Sequence, residues 1–187
     1  MFGYELAVIV LMLFFNAVFA AYEMGLASIS RARLAVLHHE KKRGAAEALF
    51  MKERMEASLA IVQLGVTVVG AVAAATGGAG VQEDFAPYLH QAFGVSEGSA
   101  QVLAIVLLII PLTFVTVVFA ELVPKMIALK NNEAVVLKLS PFMKVLSWIA
   151  YPIVAVIEAT LRKVVNLLMP SDQAGISSHK QWLHELR

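Results

Sequence analysis

The chain has 187 residues, 59% hydrophobic and 16% charged, with a mean hydropathy of +0.75 and a formal net charge of +1. A soluble domain carries about 25% charged residues, and the near-zero net charge argues against a polyanionic partner such as nucleic acid. There is no cysteine, which excludes disulfides, thiolate metal sites and cysteine nucleophiles.

The apolar residues fall into blocks close to the ~20 residues that cross a bilayer as a helix. The first block predicts a span over about residues 4–27. No Lys or Arg precedes Arg31 and Glu5 is acidic, so the block lacks the positive leader of a signal peptide and reads as a retained helix. The stretch 28–56 is polar and helix-prone and carries Arg31, Arg33, Lys41, Lys42, Arg43, Lys52 and Arg54. A second span is predicted over about 57–75, closed by the helix-breaking run Gly77, Gly78 and Gly80. A polar loop over 81–100 leads into a third span over about 101–121, which ends in AELVPK.

Between Arg54 and Lys125 the chain has no Lys or Arg. Basic loops stay on the cytoplasmic side, so 28–56, Lys125, Lys130 and the C-terminus are expected on the cytoplasmic side of the cell (inner) membrane, and the N-terminus and 76–100 outside. The basic run over 31–54 is read as a topology determinant in contact with lipid headgroups rather than a nucleic-acid site. The last apolar block, Val145 to Ile157, is short, carries Pro152 and has basic flanks on both sides. It predicts an amphipathic belt or re-entrant helix pair at the inner interface over about 134–165. A fourth span is the alternative. The fold class expected is therefore an all-α membrane protein of three transmembrane helices plus a juxtamembrane belt, with residues 1–169 as the membrane domain. The polar stretch 170–187 stops in what reads as the start of another helix, which points to a truncated cytoplasmic region.

Glu23 and Glu121 lie within or at the inner end of apolar segments, where a carboxylate is costly unless it meets a partner or a wet cavity. Asn16, Glu23 and Ser30 recur every seven residues and share a helix face. Gln63, Thr67 and Gly70 form a second stripe and Thr113, Val117 and Glu121 a third. Such stripes face one another in a bundle, either as helix–helix contacts or as a hydrophilic site. Carboxylate, amide, hydroxyl and carbonyl oxygens together suit a hard cation such as Mg²⁺, Ca²⁺ or Na⁺. Pro124 cannot donate a backbone hydrogen bond and disturbs the ladder one turn back, near Ala120 and Glu121. A freed carbonyl there could serve as an ion ligand, or Pro124 could simply end the segment. No hydrolase, zinc-protease or P-loop motif occurs, so an enzyme is not expected.

The order of NAVFAAYEMGLASISRARL, KKRGAAEAL, VQLGVTVVG and AELVPK resembles the transmembrane domain of the cyclin M/CorC family (CNNM in animals, CorB, CorC and HlyC-like proteins in bacteria) over about residues 12–165. The resemblance implies Mg²⁺ transport, usually efflux and coupled to Na⁺, by a homodimer with a cytoplasmic CBS-pair domain after the membrane part. It places the family's acidic motif residues on Glu121 and Glu23. With them, Thr67, Gly70 and Asn16 make up the expected metal-binding set. Gln63, Gly65, Ser28 and Pro124 are assigned to the substrate pathway or to helix packing. Val66 and Gly70 stand where many Mg²⁺-type members carry Asn, so fewer amide oxygens are present. Export of a polyamine or other organic cation is one alternative, and a non-transporting anchor or sensor for a cytoplasmic domain is another.

Overall fold

A computed structural model describes residues 2–81 and 85–168. The helices are α1 (Phe2–Ser28), α2 (Arg31–His39), α3 (Ala45–Glu53), α4 (Met55–Gly80), α5 (Ala86–Phe93) and α6 (Glu97–Val115). A π-helical segment (Thr116–Leu122) joins α6 to α7 (Val123–Lys130), and α8 (Asn132–Leu168) follows. No strand occurs among the described residues. Among the described residues three helical runs are long and apolar enough to cross a membrane: Gly3–Ser28, Met55–Gly80 and Glu97–Lys130. Their outward surfaces are apolar, as at Val102, Ile110 and Phe114, because a helix in lipid satisfies its backbone internally and leaves only side chains to meet the acyl chains.

The tight core sits at the end of the spans that adjoins α2 and α3. There Tyr22 and Leu26 of α1, Leu34 of α2, Met51 of α3, Val62 of α4 and Val136 of α8 are buried together. Local chemistry sets the turns around it. The Ser30 hydroxyl accepts from the Arg33 N–H at 3.1 Å and caps α2. Lys52 donates to the Leu26 and Ala27 carbonyls at 2.7 and 3.3 Å, closing the C-terminus of α1 where a cation also meets the helix dipole favourably. Burial pulls this ammonium below its ordinary pKa. Gly44 has φ +82°, and a Cβ there would collide with the Leu137 backbone, so only glycine lets α3 start against α8. Tyr22 and Ser140 share a buried hydroxyl–hydroxyl hydrogen bond at 3.0 Å, and Arg33 grips Glu133 through two nitrogens at 2.6 and 3.1 Å. Both contacts bind α8 to the rest of the inner core.

Four expectations are corrected. Gly77, Gly78 and Gly80 do not break the second span; α4 runs through all three, since a helix whose alternative is unpaired backbone in lipid tolerates glycine. The stretch between α4 and α6 is not a plain loop, because α5 forms between Phe85 and Gly94 and packs Ala86 and Leu89 against Ala100 and Ala104. Pro124 does not end the third span, which continues to Lys130. The last apolar block is one 37-residue helix rather than a helix pair, and Pro152 does not interrupt it. Along its first half Val136, Ser140 and Met143 are buried, while Lys138, Phe142, Val145 and Trp148 are exposed. That mixed face has the composition of a helix lying in the membrane interface. The chain divides into two compact units, Met1–Trp148 and Ile149–Arg187. The polar stretch from residue 170 lies outside the described residues.

Candidate functional site: two carboxylates about one lysine

Pro124 organises this region through what it lacks. In an α-helix its nitrogen would face the carbonyl of Ala120, but it has no proton to give and its ring clashes with that oxygen. The backbone responds by widening. Over Thr116–Leu122 it takes the π form, in which the Val123 N–H reaches back five residues to the Val118 carbonyl. The Ala120 carbonyl is then met from another helix: Asn16 Nδ2 on α1 donates to it at 3.1 Å, and both residues are buried. The carbonyl freed by Pro124 is thus taken by a side-chain amide.

One turn further in, Glu121 on the π segment and Glu23 on α1 converge on Lys125 of α7. Lys125 Nζ lies 3.0 Å from Glu121 Oε1 and 3.3 Å from Glu23 Oε2. The three side chains are 46%, 36% and 23% exposed, so they are not sealed in the core. Two carboxylates facing one ammonium leave one negative charge in excess. Among the described residues no three His, Cys, Asp or Glu side chains group as a metal site. A cation bridging Glu23 and Glu121 would therefore need neutral oxygens to complete its shell.

The shared face of Asn16 and Glu23 is real, since both reach the helix that carries Pro124. Ser30 leaves that face to cap α2. Thr113 is exposed, because the wider π turn puts it out of step with Glu121. Gln63, Thr67 and Gly70 lie on the exposed face of α4. The Thr67 hydroxyl donates to the Gln63 carbonyl at 2.8 Å, and a Cβ on Gly70 would meet nothing within 4 Å. Among the described residues no hydrogen bond or ion pair joins them to the carboxylates. Gly65 serves packing, since a Cβ there would lie 2.6 Å from the Phe19 ring. Ser28 also joins helices: its hydroxyl donates to Gly25 O at 3.0 Å and accepts from Asn132 Nδ2 at 3.3 Å.

Lys125 is the residue that sequence reasoning missed as part of the site, having treated it only as a marker of sidedness. Its i, i+4 spacing from Glu121 was the available signal; its contact with Glu23 had none. A separate pocket of about 100 Å³ lies at the opposite end of the spans, between Glu5, Ile9, Gly77, Gly80 and Leu108.

Comparison with known proteins gives the chain a family. Residues 7–183 match the family model described as the cyclin M transmembrane N-terminal domain. The chain is similar to the UPF0053 protein sll0260 of Synechocystis, 30% identical over 163 residues that cover 87% of this chain and 36% of the relative. It is also similar to the UPF0053 protein YrkA of Bacillus subtilis, 29% identical over 190 residues, covering 97% of this chain and 42% of that protein. An uncharacterized protein of Mycobacterium tuberculosis, MT1889, is 30% identical over 173 residues. The chain thus spans less than half the length of the curated relatives it matches.

Proposed function

Because the chain belongs to the cyclin M transmembrane-domain family, we propose that it is the membrane part of a transporter that moves a divalent cation, with Mg²⁺ efflux driven by Na⁺ as the reading. The observation that carries it is the convergence of Glu23 and Glu121, from two different spans, beside the backbone loosened by Pro124. Lys125 balances only one of the two charges, and a second carboxylate at the end of a bundle is costly unless it meets a further cation or a wet cavity. The two carboxylates make sense as groups that replace the hydration shell of a hard cation. In this reading the protein is a homodimer in the cell membrane with its N-terminus outside. A CBS-pair domain on the cytoplasmic side belongs to the full-length protein. Gln63, Thr67 and Gly70 on the open face of α4 contribute only once a second subunit or a conformational change brings them inward.

A second reading has an observation of its own. The site already accommodates an ammonium, that of Lys125, between its two carboxylates. An amine-bearing organic cation such as a polyamine would be recognised by the same pair.

The test is a melting-temperature titration of the purified chain with Mg²⁺, Na⁺ and spermidine, on wild type, Glu121→Gln and Glu23→Gln. Mg²⁺-dependent stabilisation that Glu121→Gln removes, and Glu23→Gln weakens, supports the divalent reading. A shift with spermidine alone favours the polyamine. Glu121→Gln that keeps the full Mg²⁺ shift returns the domain to an anchor or sensor.

A further inference from the structure

We propose that Lys125 is a tethered counterion, occupying the cation position between Glu23 and Glu121 when no cargo is bound, and that a divalent cation enters by displacing its ammonium toward the cytoplasmic face. The inference rests on the reading of Glu23 and Glu121 as cargo ligands, and it concerns how that site is kept and released.

The geometry assigns the role. Lys125 Nζ is within ion-pair distance of both carboxylates at once, one on its own helical run and one on α1. Glu121 alone would be served by the ordinary i, i+4 pair. The reach across to Glu23 means that the ammonium stands where an ion bridging the two carboxylates would stand. Two ionised carboxylates without a cation at the inner end of the spans would repel each other and favour protonation or opening. Lys125 removes that penalty in the empty state. A divalent cation bound by both carboxylates would lie within a few ångströms of Nζ, and like charges at that distance in a partly desolvated site repel strongly. Cargo and ammonium therefore exclude each other.

Lys125 has somewhere to go. It is five residues from Lys130, the exposed last residue of α7, and its side chain is only partly buried. A four-carbon stem near a helix end turns readily toward headgroups or water. The only other cation lodged among α1's inner residues, among those described, is Lys52, and it is committed to the Leu26 and Ala27 carbonyls. The neighbouring polar pair Ser28 and Asn132 is neutral. The return of the Lys125 ammonium to the carboxylates then expels the bound ion. This keeps affinity modest and turnover fast.

The experiment measures Mg²⁺ binding by calorimetry, in lipid nanodiscs, for wild type, Lys125→Met, Lys125→Arg and Glu121→Gln. It also measures the rate at which Lys125 in the wild-type protein reacts with an amine-specific reagent, with and without saturating Mg²⁺. Lys125→Met is expected to lower the Mg²⁺ Kd about tenfold while slowing transport in liposomes. Lys125→Arg keeps the competing charge and holds the Kd at or above the wild-type value. In the wild type, Mg²⁺ is expected to raise the reactivity of Lys125 several-fold. If Lys125→Met folds and binds no more tightly than wild type, or if Lys125 reactivity is unchanged by saturating Mg²⁺, the counterion role is overturned while Glu121-dependent binding stands. The reactivity measurement decides the matter even where the variants fail to fold. If wild type shows no Glu121-dependent Mg²⁺ binding at all, the reading of the site falls, and this inference with it.

Discussion

Asn16 and Ala120, 104 residues apart in sequence, are joined by a hydrogen bond from Asn16 Nδ2 to the Ala120 carbonyl at 3.1 Å. That carbonyl is the one Pro124 cannot serve. The bond thus offsets the cost of a proline inside a span and fixes the π segment against α1. Replacing Asn16 with Leu removes the donor and leaves a buried acceptor without a partner, at a cost of about 1–2 kcal/mol. Thermal unfolding in mild detergent should show the loss without Mg²⁺ present. Asn16→Leu with an unchanged melting temperature would mean that the π segment satisfies Ala120 by itself.

The charge asymmetry and the three spans predict the sidedness of the helical hairpins. Ser99, exposed near the start of α6, and Lys42, exposed between α2 and α3, should lie on opposite faces of the membrane. Single cysteines at these positions in the otherwise cysteine-free chain should react with an impermeant thiol reagent from opposite sides. Labelling of both from one side would break the three-span arrangement.

Arg33 holds the Glu133 carboxyl below the usual carboxylate range, first through their hydrogen bond and then through charge attraction. A carboxyl lowered in the folded state contributes stability that is present above its unfolded pKa and is lost as pH falls through the folded value. Melting temperature should therefore decline on the acid side of about pH 4.3, and Glu133→Gln should flatten part of that decline. The pair is exposed, so raised salt should mimic the mutation at neutral pH. Identical acid profiles for the two proteins would show that the pair adds nothing to the docking of α2 on α8.

Two glycines should respond in opposite ways. Gly44→Ala places a Cβ at φ +82° and against the Leu137 backbone, and is expected to destabilise by about 2 kcal/mol or more. Gly70→Ala adds a Cβ in open space on a helix and is expected to leave the isolated chain unharmed, or to stabilise it by up to ~1 kcal/mol. If Gly70→Ala instead disrupts assembly measured by mass in nanodiscs, the open face of α4 is where a second chain packs.

What the sequence determined by itself was whatever depends on composition and local order. Block length set the three spans, because hydrocarbon demands about 20 apolar residues in a helix wherever they stand. The spacing of Asn16 and Glu23 put them on one face. The signals that failed were the breakers. Gly77, Gly78, Gly80, Pro124 and Pro152 all lie within helices; within a span, the usual breaking effect assumes water ready to take up the unpaired backbone groups, and a bilayer offers none. Tertiary structure alone decided where the polar groups point. Pro124 announced a freed carbonyl, but only packing against α1 gave it to Asn16. The motif announced two carboxylates, but only the approach of α1 to α7 set Lys125 between them. Such pairings depend on the distance and rotation between helices. Those are fixed by contacts such as Phe19 on Gly65 and Tyr22 on Ser140, which sequence spacing does not encode.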